Sequence, residues 1–283
     1  MTDAGIIFAC ETHFPTAGMI PLEVLMETRV VKVQEEPKVQ EPVWQKAEDS
    51  FLKFFCRIER FDWGSFYFWD AGQDWPKFNF VRVVTSALTA DQLQRLVTKY
   101  KPYFLQRGRT FSLKIPEGVV VSPEISERLK PAGIPLVSLK FDPKKLKGAN
   151  QSDIQLCKSV EDVAVWWEIN SDGRSRQGNS PLWPVIVEAF RAGTRYYILR
   201  KEGEPVASAA LTPFNERQDF NLWGLATRQA HQRRGYIKEL VAGVGNMIGI
   251  PYYLQVNIES HTHQMFRKLG AEELVVERRY EIA

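Results

Sequence analysis

The sequence predicts a mixed α/β chain of α+β type, made of two domains that each set a mostly antiparallel sheet between helices. Three observations carry this. The 283 residues are 44% hydrophobic, 25% charged and 12% aromatic, a composition for packed cores rather than disorder or collagen-like repeats. Apolar residues recur with periods of two and of about 3.6 in alternating blocks. The lysine-rich run Pro143-Lys-Lys-Leu-Lys-Gly-Ala-Asn150 interrupts that pattern and places a domain boundary, giving domains 1–145 and 146–283.

Taken in order, Val30-Val-Lys-Val-Gln reads as a strand and Glu35 to Pro42 as a proline-punctuated connector. A helix is predicted over Trp44 to Glu59. The segment Phe61 to Phe80 carries Trp63, Phe66, Tyr67, Phe68, Trp69 and Trp75, which can line a pocket but are better read as core. Thr89-Ala-Asp-Gln92 is a capping box that starts a helix at Ala90 and runs it to about Leu105, with Leu93, Leu96 and Val97 on one face. Phe111 to Ile115 alternates as a strand, Ser122-Pro123 opens a short helix, and Pro135 to Phe141 is another strand.

Beyond residue 150 the blocks are easier to separate. Ile154 to Val160 is a strand, and Ser159 caps a helix over Glu161 to Ile169. The polar loop 170–180 leads to a second helix opened by Ser180-Pro181 and carrying Leu182, Val185, Ile186 and Phe190. Tyr196 to Lys201 and Pro205 to Pro213 form a hairpin around Glu202-Gly-Glu204, and Phe220 to Thr227 is a third strand. A helix from about Arg234 to Met247, a strand Tyr252 to Asn257, a helix Ser260 to Leu269 and a strand Glu273 to Ile282 follow. The order is β-α-α-β-β-β-α-β-α-β.

Function classes narrow from charge and from what is missing. The net charge is +3, with nine acidic and four basic groups in residues 1–50 (net −5) and +8 in the remainder. That balance argues against a nucleic-acid partner, and the basic part is compatible with a phosphorylated ligand and equally with an ordinary basic surface. No apolar run nears the ~18 residues a membrane span needs, and the Gly5–Cys10 stretch lacks a basic flank, so a cytoplasmic chain with no membrane partner is expected. Asn150-Gln-Ser is then a chance glycosylation acceptor. Cys10, Cys56 and Cys157 are odd in number and far apart, which fits neither a disulfide framework nor a thiolate metal site. His261-Thr-His263 on a helix points its two rings apart, so no metal is expected. No Walker loop, H-E-x-x-H or G-x-S-x-G occurs.

The chemistry concentrates in Leu225-Ala-Thr-Arg-Gln-Ala-His-Gln-Arg-Arg-Gly-Tyr-Ile237, a strand running through a basic loop into a helix with glycine in its first turn. Unpaired amides and the positive helix end favour a diphosphate there, with Arg233, Arg234 and Lys238 adding formal charge and Gly235 allowing close approach. At Gln232-Arg-Arg-Gly-Tyr-Ile237 the chain resembles the GNAT superfamily of acyl-coenzyme-A-dependent N-acetyltransferases, whose signature is Q/R-x-x-G-x-G/A after the fourth strand. The resemblance spans Ile154 to Ala283 and includes Asn257 and Phe266-Arg-Lys-Leu-Gly270. The first 145 residues resemble a degenerate second copy, so the fold expected is two GNAT-like domains in tandem.

The resemblance implies that acetyl-coenzyme A is the co-substrate, that Leu225, Ala226 and Thr227 pair with its pantetheine as an added strand, and that Gln232, Arg233, Arg234, Gly235, Tyr236, Ile237, Lys238 and Asn257 complete its site. The acyl group would pass to an amine-bearing acceptor. Three departures bear on this. Ile237 stands where the signature has Gly or Ala; Phe266 replaces the tyrosine that protonates the leaving thiolate; and Asn221 replaces a general-base glutamate. Direct attack by a neutral amine needs positioning and carbonyl polarisation most, supplied by backbone near Leu225 or Ala226. Asp219, Glu216 and Glu259 are the base candidates through water; Tyr236 is able to approach the cofactor, and Tyr252 or Tyr253 can replace the acid, though each of these tyrosines is better read as a half-buried aromatic. Trp166 and Trp167 read as core or as an acceptor platform, and Arg174 and Arg176 as acceptor-site cations or a solvated loop. The competing expectation is a non-catalytic module with a relic cleft whose aromatic first half engages a protein. In an intermediate one, the first half shapes the acceptor pocket.

Overall fold

The structure, a computed structural model, describes residues 41–69, 79–105, 112–143, 153–171, 180–215 and 219–282. The strand expected at Val30, Trp75, the boundary run 144–152 and the loop holding Arg174 and Arg176 lie outside them.

The described elements are α1 (Val43–Leu52), β1 (Arg57–Phe61), β2 (Gly64–Phe68), β3 (Phe80–Val83), α2 (Ala90–Leu105), β4 (Ser112–Pro116), α3 (Pro123–Ser126), β5 (Leu129–Pro131) and β6 (Leu136–Phe141). They continue with β7 (Ile154–Leu156), α4 (Val160–Asn170), α5 (Trp183–Arg191), β8 (Arg195–Lys201), β9 (Glu204–Pro213), β10 (Phe220–Thr227), α6 (Tyr236–Ile248), β11 (Tyr252–Asn257), α7 (His261–Lys268) and β12 (Glu272–Ile282). The local signals explain the boundaries. At α2, Thr89 N donates to Gln92 Oε1 (2.8 Å) and Gln92 N to Thr89 Oγ1 (3.2 Å), the reciprocal capping box. At α4, Ser159 Oγ accepts from Asp162 N (3.2 Å).

One prediction was wrong: the helix drawn to Glu59 stops at Leu52, and Arg57–Phe61 is an edge strand paired antiparallel with β2. Its Arg-Ile-Glu-Arg-Phe sequence carries the charges that protect an exposed sheet edge, and these obscure its strand character. The aromatic segment behind it is core on both faces of β2, with Tyr67 and Trp69 in one cluster and Trp63, Phe66 and Phe68 in another.

All twelve described strands form one sheet in the order β1-β2-β3-β4-β12-β6-β11-β10-β9-β8-β7, with β5 on the far end of β12. Only β3/β4 and β10/β11 are parallel. Each of these pairs follows a strand–helix–strand crossover, through α2 and α6 respectively, so the two halves repeat one plan. The last strand of each half is placed against the other half. β6 pairs with β11 and β12, while β12 pairs with β4, β5 and β6.

Beside that exchange lies a buried ionic network. Arg82, without solvent exposure, donates to Glu277 Oε1 of β12 (2.7 Å) and also reaches Glu48 and the Tyr67 hydroxyl. Tyr67 donates to Asp49 Oδ1 (2.7 Å) and Lys114 to Glu48 Oε1 (3.2 Å). Burial works against the Arg82 charge, but Glu277 and Glu48 outweigh it and hold its pKa well above the usual value.

Candidate functional site

The site is an opening in the sheet. β10 and β11 pair at only two positions, Phe220↔Tyr252 and Asn221↔Tyr253, and beyond them the strands part. On its other side β10 stays on β9 as far as Thr227↔Ala207. The β10 backbone from Leu222 to Thr227 therefore has no β11 ladder partner on the side of the split.

Within that stretch β10 bulges: Gly224 and Leu225 together oppose Ala209, between the pairs Trp223↔Ala210 and Ala226↔Ser208. Gly224 has φ of 61°, and a Cβ there would lie 2.4 Å from Trp166 Cζ2. The Trp166 indole fills the space and donates to the Ala209 carbonyl (2.9 Å) at the irregular rung. Trp166 and Trp167 are both buried, so the core reading holds for each. Asn170, at the end of α4, ties that helix to β9 by donating to Ser208 Oγ (2.7 Å).

After Thr227 the chain makes one 3-10 turn (Gln229–His231), then passes through two left-handed residues, Arg233 (φ 64°) and Gly235 (φ 81°), into α6. Gly235 is the N-cap and offers no side chain to the helix amides; the first intrahelical bond is Glu239 N to Gly235 O (3.1 Å). The amides of Tyr236, Ile237 and Lys238 thus lack helical acceptors and point out of the helix start. Space around Gly235 is open, since a Cβ there would meet nothing within 4 Å. The glycine is thus required by its backbone conformation rather than by crowding. Gln232, Arg233, Arg234 and Lys238 are exposed around it. Ion pairs occupy the margins: His231 Nε2 to Glu204 (3.3 Å), Arg228 to Glu168 (3.8 Å) and Lys201 to Glu239. Ile237 and Tyr236 pack against the main core, so the isoleucine does not fill the open space in front of the amides.

The other expected residues are more scattered. Asn257 ends β11, paired with Leu136 of β6. Asp219 sits in the turn before β10, clamped by Asn215, whose Nδ2 donates to Oδ2 (2.6 Å) and whose Oδ1 accepts from Asp219 N (2.8 Å). Glu259 is exposed at φ 61° after β11, at the opposite end of the parallel strand pair, and Glu216 lies outside the described residues. The described candidate bases do not converge.

Phe266 is wholly buried, edge-on to Phe141 (5.7 Å between ring centroids). Tyr252 is also core, its hydroxyl 3.4 Å from the Val241 carbonyl on the α6 side. His263 Nδ1 accepts from Glu259 N (2.9 Å) and Nε2 lies 3.1 Å from Glu273 Oε1, a structural use of the ring. Among the described residues no cluster of His, Cys, Asp or Glu could hold a metal ion, and no helix is long and apolar enough to cross a membrane. Cys56 and Cys157 are buried.

One feature of the site has no local sequence signal: α1, from the first half, covers the face of the split opposite α6. There Trp44, Ala47 and Glu48 of α1 join Ser138, Asn221, Tyr253, Leu254 and Gln255 around a small cavity. These residues come from segments up to 211 positions apart in the chain, so no local pattern reveals it.

Residues 163–244 match the model of the acetyltransferase (GNAT) family. Among solved structures the chain is similar to a GCN5-related N-acetyltransferase from Kribbella flavida (16% identity, 83% of this chain and 93% of that one, TM-score 0.58). It is also similar to a functionally unknown conserved protein from Staphylococcus epidermidis ATCC 12228 (14% identity, 81% and 95%, TM-score 0.57). A tandem GNAT protein from the clavulanic acid biosynthesis pathway matches at 12% identity, over 87% and 89% of the chains, with a TM-score of 0.52. No curated protein matches.

Proposed function

We propose that the chain, whose residues 163–244 match the model of the acetyltransferase (GNAT) family, is an acyl-coenzyme-A-dependent N-acetyltransferase acting on an amine. The observation that carries this is the uncapped start of α6 beside the split edge of β10. In the corresponding helix of the first half, α2, the capping box occupies the Thr89 and Gln92 amides, whereas α6 has no side-chain cap. The cofactor site of this reading lies in the second half.

The residues present fit acetyl-coenzyme A. The amides of Tyr236, Ile237 and Lys238 would hold its diphosphate, with Gln232, Arg233, Arg234 and Lys238 around it and Gly235 supplying the left-handed turn that aims them. Leu225, Ala226 and Thr227 would pair with the pantetheine along the open strand edge, with Asn257 across the opening. When bound, the co-substrate supplies an activated acyl carbon. The backbone N–H groups near Leu225 and Ala226 would polarise its carbonyl, and the walls of the split would orient the amine. Deprotonation of the amine falls to Asp219, Glu216 or Glu259 through water. A cytoplasmic setting without nucleic-acid, membrane or metal partners completes the proposal.

Isothermal titration of the full chain with acetyl-coenzyme A tests it: heat of binding is expected, and its absence together with no thermal shift overturns the reading. A second reading is favoured by Phe266, which removes the usual proton donor from the site. On that reading the split is a relic that binds acyl-coenzyme A without turnover. Thiol release over a panel of amines separates the two.

A further inference from the structure

Where β11 ends, the chain turns on a strained residue. Ser260 N donates to the Asn257 carbonyl (3.3 Å), closing a four-residue turn whose third residue, Glu259, has φ of 61°. A turn of this kind favours glycine or asparagine at that place, and a glutamate stays there only where its surroundings hold it. They do so from both sides. His263 Nδ1 accepts from Glu259 N (2.9 Å), and Gln264 Nε2 donates to the Glu259 carbonyl (3.2 Å). The His263 ring is fixed in its turn: it is 3% exposed, and His263 N donates to Ser260 Oγ (3.1 Å) at the start of α7. A ring nitrogen that receives an amide carries no proton, so Nε2 holds the proton and donates to Glu273 Oε1 of β12 (3.1 Å), which Arg267 also reaches (3.2 Å).

The Glu259 side chain is exposed, so its own burial does not account for the strain. The position of the turn does. β11 forms one wall of the split, and its ladder with β6 closes at Asn257↔Leu136 and one further bond, Ile258 N to Pro135 O (2.9 Å). The turn begins at Asn257 itself, so its backbone fixes where the wall stops and how the half-buried Asn257 is held there. Resting on the acetyltransferase reading, we propose that His263 is a positioning residue for the cofactor: by receiving the Glu259 amide it locks the left-handed turn that holds Asn257 across the opening from the Leu225–Thr227 edge. The contact at Nδ1 performs this task, whereas the contact at Nε2 ties α7 to β12. The two can be separated, because an asparagine oxygen reaches about as far as Nδ1 and a glutamine amide about as far as Nε2.

Isothermal titration of acetyl-coenzyme A into variants of the full chain tests this. His263→Asn keeps an acceptor for the Glu259 amide and should bind within about twofold of the wild type. His263→Gln keeps only the reach to Glu273 and should bind roughly tenfold more weakly. Gln264→Ala, at an exposed position, removes the second bond to the turn without touching the core and should weaken binding about threefold. On an Asn257→Ala background the His263→Gln loss should disappear, since both changes act on one contact. A histidine that serves only to tie α7 to β12 gives the reverse order, with glutamine tolerated and asparagine not. That order, equal affinity in all variants, or a fully additive loss with Asn257→Ala overturns the inference and leaves the acetyltransferase reading standing. Should the His263 variants fail to fold, Gln264→Ala decides, and unchanged affinity there overturns it. No binding heat with the wild-type chain overturns both readings.

Discussion

Gly224 shows how one residue shapes the site. Its left-handed backbone makes the bulge, and its missing Cβ leaves room for the Trp166 indole that caps Ala209. Gly224→Ala would press a methyl group into that ring while straining φ. We expect a loss of about 1–3 kcal/mol in urea unfolding, with weaker acetyl-coenzyme A binding because the split edge shifts with the bulge. An unchanged midpoint would show that the ring yields freely. Arg82 is the other sensitive residue. Arg82→Met leaves Glu277 and Glu48 buried without their guanidinium, and a cost of roughly 3–5 kcal/mol by urea denaturation is expected. A loss below about 1 kcal/mol would mean the carboxylates find water or protons cheaply.

Helices α2 and α6 hold equivalent places in the two halves yet treat their first amides oppositely. Thr89→Ala removes the capping box and should destabilise the chain by about 1 kcal/mol with no change in acetyl-coenzyme A affinity. The double change Arg233→Glu and Arg234→Glu leaves the fold intact, since both side chains are exposed, and should weaken that affinity by roughly tenfold or more. Added salt should weaken wild-type binding for the same electrostatic reason. Calorimetry on the three proteins checks the set; equal affinity in all of them would remove α6 as the anion site.

The exchange of β6 and β12 ties the halves together. Residues 146–283 alone would expose the β11 edge that β6 covers, and β12 would lose all three of its partners. That fragment is expected to aggregate or remain unfolded and to be rescued by co-expression of residues 1–145. A folded fragment with a sharp thermal transition would show that β12 can pair within its own half. On that shared sheet α1 of the first half reaches the split, where Trp44, Ala47 and Glu48 line a small cavity.

By itself, the sequence determined the order of elements from Ile154 onward, the capping box at α2 and the strand–loop–helix junction at Gly235. Each of these rests on residues close together in the chain, where alternation, capping side chains and a glycine act locally. The β1–β2 hairpin was hidden because an edge strand carries charges instead of a clean apolar alternation. Only the tertiary structure decided that Phe266 and Tyr252 are both core. It alone brought Glu48 and Asn221 to one cavity and crossed the last strands between halves. Those facts depend on strand pairing between distant segments, whose register is settled when both faces of the sheet are buried at once.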